Sequence, residues 1–497
     1  MRRRERFPML WFLGGIAFLV LGYFLYGRVV ERIAAPDDRP TPAIANPDGV
    51  DYVPLPKWKN QLIQLLNIAG VGPVIGVIAG IKFGKIALLI IPVGCVFAGA
   101  VHDYLGGMVS LRSNGANLPK IIRDNLGKGY AAVFSWFMVA LLLLVVAVFI
   151  NIPANLVDKQ FLPETPFFWG AVAAIFVYYI VATLFPVDKI IGNLYPIFGG
   201  LLLIGSLALA GALAVAGFKD PTLLQEGEAF LAFRDGTFNA NGRSPVFPLL
   251  FVTIACGIIS GFHATQSPIV ARTMRSEREA RSTFFGMMIA EGVIAMIWAS
   301  AALAIYNLQP DDLKLAPAVV LGHITTHFLG KWMGGVTVLA VVVLAITSGD
   351  TALRSTRLSL AEMFRIPQAK FLSRLTICVP LIVLTGALLW WSNLSAQTFN
   401  HLWNYFAWGN QVLSASTLMA CTVWLLRQGK KCGALVALLP GMFMTSVITS
   451  FILWTSPAYG QPYGLVPGGL ALPVSIGISV AVAIVFAVYA IVRGRQR

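Results

Sequence analysis

Four ionisable residues lie inside apolar stretches that are long enough to cross a membrane: Asp103, His263, Glu291 and Asp350. A charged group is costly at membrane depth, so these side chains are expected to face a protein interior or an aqueous path and to act in ion or proton transfer. The structural alternative for Asp103 is a pair with Arg112. Glu291 has no partner in its own segment, and burial there favours proton binding, which suits a carrier.

Hydroxyl groups surround Asp350 in the segment AITSGDTALRS. Thr347, Ser348 and Thr351 supply oxygen ligands of the kind that coordinate sodium, whereas the carboxylate favours protons. Arg354 follows Asp350 by one helical turn, so a buried intrahelical ion pair is the structural alternative. We therefore predict an ion-coupling region here, with H⁺ favoured over Na⁺.

His263 lies beside Thr265 and Gln266 in the run HATQSP. An imidazole donates hydrogen bonds to an anionic substrate and titrates near neutral pH, although a lone histidine is more often a structural core residue. His323 and His327 have the i, i+4 spacing of metal ligands, but no third ligand follows at a suitable spacing. We interpret those two as surface-helix residues, and we predict neither a metal nor a cofactor.

Two apolar spans carry glycine and proline where a continuous helix disfavours them, at Asn67–Gly80 and Thr253–Arg272. Freed backbone groups at membrane depth need protein or a water-lined cavity around them, so both spans are predicted to be discontinuous helices. Paired breaks in two halves of a chain point to a transporter's central site. The predicted substrate-binding residues are Gly70, Gly72, Pro73, Gly76, Gly261, His263, Thr265 and Gln266.

The composition predicts an all-α integral membrane protein. Of 497 residues, 57% are hydrophobic and only 12% are charged, and the mean hydropathy is +0.76. The cysteines lack the spacing of a disulfide framework or a zinc site. A net charge of +15 would suggest nucleic acid for a soluble protein, but here the basic residues concentrate in loops on one side, which is a topology signal.

Apolar segments of spanning length predict about thirteen transmembrane helices. Five spans from the first break and five from the second would place two units in opposite orientations, the inverted-repeat arrangement of transporters. The predicted spans are 9–27, 61–81, 86–110, 131–152, 166–185, 194–217, 246–271, 281–307, 333–353, 373–393, 401–427, 432–455 and 469–493. The predicted organisation is 1–60 for an extra helix and connector, 61–217 and 246–427 for the repeats, 218–245 for an extracytoplasmic connector and 428–497 for two accessory helices.

The positive-inside rule places the C-terminus in the cytoplasm and the N-terminus outside. Short amphipathic helices are expected on the membrane faces near 117–128 and 316–330. An aromatic cluster near the outer boundary is interpreted as an interfacial belt, with an outer gate as the alternative. Its members are Trp390, Trp391, Trp403, Tyr405, Phe406 and Trp408.

Four motifs together resemble the carbon starvation protein A family of bacterial inner-membrane transporters: DGVDYVPLPKWK, NIAGVGPVIGVIAG, GAVHDYLGGMVSLR and SGDTALRSTR. The resemblance covers roughly residues 10 to 460. It implies a LeuT-type, amino acid–polyamine–organocation fold with a five-plus-five repeat, and uptake of peptides or pyruvate coupled to an ion gradient. The chain is shorter than the longer members, and HATQSP differs from their Ser/Gly/Thr-rich run, so the choice between peptide and pyruvate stays open.

The favoured hypothesis is proton-coupled uptake by alternating access, with sodium-coupled symport of amino acids or small carboxylates as the alternative. A membrane enzyme would need a catalytic constellation, and the chain shows no nucleophile elbow, phosphate loop or closed metal set. A channel would need a ring of like charges or carbonyls, usually from identical subunits. The partners predicted are a small-molecule substrate and the lipid bilayer, without nucleic acid.

Overall fold

The computed structural model describes residues 9–161, 164–184, 187–227, 230, 244–368, 370–457 and 463–496. Within these ranges the ordered elements are all helical. The first half contains α1 Met9–Ala34, α2 Lys57–Ile68, α3 Gly72–Phe83, α4 Ile86–Arg112, α5 Leu118–Leu126, α6 Lys128–Phe161, α7 Phe168–Leu184 and α8 Val187–Lys219. The second half contains α9 246–257, α10 Gly261–Ala271, α11 Glu277–Leu308, α12 317–329, α13 331–364, α14 Phe371–Ser392, α15 Ala396–Arg427, α16 Leu435–Trp454 and α17 Leu472–Arg495.

Ten helical segments in the described part of the chain are long and apolar enough to span a membrane, when α9 with α10 and α12 with α13 each count as one. The number is eleven when α2 and α3 also count as one bent span. This establishes a multi-pass membrane protein. The predicted spans at 166–185 and 401–427 fall on α7 and α15, which lie outside that set of ten. The count of about thirteen therefore stays a prediction.

The helices differ sharply in burial, and this separates a protein core from a lipid-facing shell. In an apolar stretch of 18 residues within α11, 89% of the residues are buried inside the protein. The corresponding stretches of α1 and α17 are only 28% buried. Helix packing in lipid draws on close contact between small residues and on buried hydrogen bonds, because lipid is as apolar as leucine. The residues that meet in the centre of the fold are accordingly often glycine, serine and threonine.

The connecting segments define two faces. Arg112 of α4 contacts Glu277 at the start of α11, and Arg427 of α15 donates to the Asp124 carbonyl. We call this the basic face, because most loop lysines and arginines lie on it. Both predicted short helices are present, as α5 on the basic face and as α12 on the opposite face, where Gly330 (φ 69°) separates α12 from α13. Of the connector 218–245, residues 228–229 and 231–243 lie outside the described residues.

Candidate functional site

Both predicted helix breaks are present, and they pack against each other. The first break separates α2 from α3 at residues 69–71 with a bend of 51°, and the second separates α9 from α10 at residues 258–260. A Cβ atom on Gly72 would lie 2.6 Å from the backbone of Cys256, and one on Gly257 would lie 3.0 Å from Cα of Pro73. Glycine is needed at these positions because two backbones meet where a side chain would not fit.

Asn410 of α15 completes the second break, and the sequence analysis missed it. Its Oδ1 accepts the backbone N–H of Phe262 at 2.6 Å, and its Nδ2 donates to Ser260 Oγ at 2.6 Å. A new helix begins at Gly261, so its first N–H groups have no partner within the helix and need a side-chain acceptor. Only the contact between α10 and α15 reveals this role, since 148 residues separate Asn410 from Phe262.

His263 joins two of the predicted carboxylates in one buried cluster. Its Nδ1 donates to Asp103 Oδ2 at 3.1 Å, and its Nε2 lies 3.7 Å from Glu291 Oε2. His102 Nδ1 also donates to Asp103 Oδ1 at 2.9 Å. All four side chains are fully buried or nearly so. We call His102, Asp103, His263 and Glu291 the central cluster; His102 was not among the predicted site residues.

The central cluster has the chemistry of a proton carrier. Two carboxylates and two imidazoles within hydrogen-bonding or ion-pair distance change their total charge by one whenever a single proton enters or leaves. A buried net charge is costly unless a counter-charge accompanies it, so the protonation of such a cluster would depend on whether a charged ligand is bound nearby. The structural alternative for Asp103, a pair with Arg112, is wrong, because Arg112 binds Glu277 at the basic face.

Buried amides lie on α2, α10 and α15, the helices that form or contact the two breaks. The backbone of Ile68, the last residue of α2, lies beside the His263 imidazole, and Asn67 precedes it. Several buried amide atoms make no hydrogen bond to the described part of the protein: both polar atoms of Gln64 and Asn67, Gln266 Oε1 and Gln411 Nε2. Such groups are available to a polar ligand. Thr265 is already engaged, since its hydroxyl donates to the Phe262 carbonyl and accepts from Gln266.

The hydroxyl-rich segment of α13 meets the first broken helix. Thr347 Oγ1 and Ser348 Oγ donate to the Leu66 carbonyl of α2 at 3.2 and 3.1 Å. Gly70 is also close, because a Cβ there would lie 3.2 Å from Ser348 Oγ. The Thr351 hydroxyl bonds back to carbonyls of its own helix.

Asp350 points away from the central cluster. Its carboxylate accepts hydrogen bonds from Tyr178 at 2.7 Å and from Tyr195 at 3.2 Å, on α7 and α8. The structural alternative, an ion pair between Asp350 and Arg354 within α13, is wrong as the main contact of Arg354. Arg354 forms its ion pair with Asp51 instead. The predicted coupling residues therefore divide into two groups, with Asp103 and Glu291 in one and Asp350 in the other.

A cavity of about 1260 Å³ opens on the face opposite the basic face. It reaches Ile75 of α3 and Trp403 of α15. Of the two broken helices, only the first contributes to its described lining, through Ile75 and Ala79 of α3. Its residues are Ile75, Ala79, Ile152, Asn155, Leu156, Lys159, Gln160, Gln309, Ala316, Pro317, Ala318, Val319, Gly322, His323, Thr326, His327, Ser392, Asn393, Ser395 and Trp403.

Aromatic rings lie between this cavity and the central cluster. Trp403 contacts Phe406 with ring centroids 5.6 Å apart, Phe406 contacts Phe149 at 5.8 Å, and Phe149 contacts Phe262 at 5.9 Å. The predicted interfacial belt fits Trp390, which is 64% exposed, but not the buried Phe406. His323 and His327 lie on the surface helix α12 as predicted, with His323 bound to Asp312.

The profile of the family described as carbon starvation protein CstA matches residues 8–231, 169–329 and 312–451. An uncharacterized membrane protein of Haemophilus influenzae is 42% identical over 62% of this chain and 94% of its own length. The peptide transporter CstA of Bacillus subtilis is 27% identical over 60% of this chain, and the pyruvate/proton symporter BtsT of Escherichia coli is 28% identical over 61%. These two alignments span only 58% and 50% of the relatives' own lengths.

Solved structures agree on the fold at low identity. A manganese transporter of Eremococcus coleocola superposes with a TM-score of 0.56 and 12% identity, covering 90% of this chain and 99% of that one. MhsT in complex with L-phenylalanine superposes with a TM-score of 0.53 and 14% identity, covering 88% of this chain and 99% of that one. The characterised relatives and these neighbours are transporters and not enzymes, and the neighbours identify a LeuT-type fold. Because the family profile matches more than half of its residues, the chain belongs to the carbon starvation protein CstA family.

Proposed function

We propose that this protein is a bacterial inner-membrane symporter that imports pyruvate or peptides together with protons. One observation carries the proposal: His263, in the first turn after the second helix break, joins Asp103 and Glu291 in a buried cluster beside the first break. Substrate and proton sites would then share side chains. Relatives named as peptide transporters and as a pyruvate/proton symporter support the two substrate classes.

The architecture we propose has two inverted five-helix units. The helices from α2 to α8 would form the first unit, and those from α9 to α15 the second, with α1 before them and α16 and α17 after. The two breaks then occupy the first and sixth core helices. The basic face is cytoplasmic in this arrangement, and the cavity of about 1260 Å³ opens outward.

Protons suit the central cluster better than sodium does. Sodium requires several oxygen ligands, whereas the cluster offers two imidazoles that compete for its carboxylates. The alternative, sodium, is favoured by one contact, in which Thr347 and Ser348 meet the Leu66 carbonyl between α13 and α2. To bind the ion, these three oxygens would have to give up the hydrogen bonds that now join the hydroxyls to the carbonyl.

A carboxylate is the group that pyruvate and peptides share. Helices α3 and α10 begin at the two breaks, and the N-terminal end of a helix attracts an anion. His263 adds a donor when it is protonated. The binding energy of the anion would then depend on a proton in the central cluster, which is the physical requirement for symport.

The test is uptake into proteoliposomes that contain the purified protein. Labelled pyruvate, dipeptides and tripeptides are supplied under an imposed inward proton gradient, an imposed sodium gradient, or neither, with protein-free liposomes as the control. Accumulation above equilibrium under the proton gradient alone is expected for at least one substrate class. Accumulation that follows sodium and ignores the pH gradient would replace protons by sodium, and the absence of any saturable uptake would reject the proposed function.

A further inference from the structure

Asp51 lies in the connector between α1 and α2, yet its side chain is buried deep in the basic face. Its Oδ1 accepts a hydrogen bond from Arg354 Nη1 at 3.1 Å and lies 3.4 Å from Arg357 Nη2. Both arginines belong to α13 and are at most 1% exposed. A loop carboxylate therefore fills a site that two buried guanidiniums form.

Positive charge exceeds negative charge around this site. Arg357 Nε and Arg374 Nε are buried and make no hydrogen bond to the residues that the structure describes. Burial alone would raise the pKa of Asp51, but Arg357, Arg354 and Arg272 outweigh it and hold that pKa below its ordinary value, so Asp51 stays ionised. The charged side chains that interact here are Lys120, Arg272, Arg354, Arg357 and Arg374 against Asp51, Asp350 and Glu362.

The arginine pair follows the central cluster along the path to the basic face. Ser355, the neighbour of Arg354, donates to the Thr265 carbonyl at 2.5 Å, and Thr265 lies two positions after His263 in α10. Two residues of an α-helix rise about 3 Å, so Arg354 lies about half a helical turn further toward the basic face than His263. In the proposed transport cycle, a substrate that leaves the central cluster toward this face would pass the level of the two arginines.

Besides its ion pair, the segment that carries Asp51 is held within the loop and by contacts with neighbouring segments, among them Tyr52 with Asn114 and Pro54 with Arg275. The Asp48 carboxylate accepts the backbone N–H groups of Val50, Asp51 and Tyr52, which shapes the loop. The Leu55 N–H donates to the Thr273 carbonyl just beyond α10. Release of these bonds would withdraw Asp51 and leave both guanidiniums without their anion.

We propose that Arg354 and Arg357 form a second carboxylate-binding site on the exit path, and that Asp51 occupies it as an internal carboxylate while this face is closed. When the connector moves away, the carboxylate of the substrate takes the place of Asp51. The part of this proposal that concerns the substrate rests on the proposed transport function. The part that concerns the site itself is testable in the purified protein without any transport.

The experiment removes the internal carboxylate and supplies a free one. Asp51→Ala leaves room for a small anion beside the arginines, so acetate should restore stability where acetamide, which has the same shape and no charge, does not. Thermal unfolding of the detergent-purified protein is measured in both compounds. We expect acetate to raise the unfolding temperature of the variant by at least about 2 °C relative to acetamide.

Controls separate this site from general salt effects. Asp38→Ala removes an exposed carboxylate from the same connector, where it pairs with the exposed Arg278, and should show no preference for acetate. Asp51→Ala combined with Arg357→Gln should lose the preference. If folded Asp51→Ala can be purified only in acetate buffer, the site is supported. If it cannot be purified in any buffer, the thermal unfolding of Asp51→Ser is measured instead, in formate and in formamide.

Equal effects of the charged and neutral compounds on a folded Asp51 variant would overturn the proposal. That outcome is independent of uptake by the unaltered protein in proteoliposomes. Failure of the site and failure of the transport function are therefore distinguishable.

Discussion

His263 and Asp103 lie 160 residues apart in the chain, and a hydrogen bond of 3.1 Å joins them in the buried centre of the protein. The bond links α10, which starts at the second break, to the continuous helix α4. It therefore ties a half-helix that we propose binds the substrate anion to a buried carboxylate of another helix. The first two predictions follow from this contact.

Replacement of His263 by alanine should weaken substrate binding more than it lowers the amount of folded protein. Hydrogen bonds to charged groups contribute about 1.5–3 kcal/mol, so the KM for uptake should rise by about tenfold or more. His401→Ala is the matched control, because His401 stacks on Tyr405 and Tyr463 away from the central cluster. An unchanged KM with strongly reduced expression would make His263 a structural residue.

Replacement of Glu291 by glutamine should separate substrate exchange from proton coupling. Glutamine keeps the shape of the side chain but does not bind and release a proton, so counterflow should persist while accumulation driven by a pH gradient is lost. Glu164→Gln, in an exposed loop, serves as the control. The measurement is the ratio of the two activities in the same proteoliposome preparation, and an unchanged ratio would exclude Glu291 from coupling.

Asp350→Asn should also abolish gradient-driven accumulation and spare counterflow, if the carboxylate takes part in the charge cycle. The two tyrosines that donate to it make a structural role the competing explanation. Tyr178→Phe distinguishes the two, since it removes a hydrogen bond but leaves the carboxylate in place. A structural role predicts that both variants lower thermal stability and reduce both transport activities in parallel.

Replacement of Gly261 by alanine should disrupt the packing of α10 against α15. The added Cβ would overlap the backbone oxygen of Asn410 and the backbone nitrogen of Ser414, and neither is free to rotate away. Overpacking of this kind costs about 1–3 kcal/mol or more. Gly211→Ala is the control, because its new methyl group enters open space on an exposed position of α8. Equal thermal stability of the two variants would contradict the close packing at the second break.

Masking the substrate carboxylate should abolish recognition. Methyl pyruvate and peptide amides retain most of the shape of their parent compounds but lack the anion that the helix N-termini and His263 are proposed to bind. Their competition with labelled substrate is measured, since an ester crosses the bilayer unaided. An inhibition constant within about threefold of that of the parent compound, less than 1 kcal/mol, would show that the carboxylate is not recognised.

The sequence by itself determined the membrane class and the positions of both helix breaks. Glycine and proline act on the backbone where they stand, so the interruptions near Gly72 and Gly261 follow from local chemistry. The apolar runs likewise reveal which side chains are buried at membrane depth. Asp103, Glu291 and Asp350 are all buried in the fold as this reasoning expects.

Only the tertiary structure decided which of these side chains meet. Helical spacing suggested that Arg354 pairs with Asp350, yet Arg354 reaches Asp51 and Asp350 binds two tyrosines from other helices. Hydropathy identifies a span but not its orientation about its own axis, because lipid-facing and core-facing positions are both apolar. The partners of a buried charge are chosen by the packing of helices that lie far apart in the chain, and no local pattern records that choice.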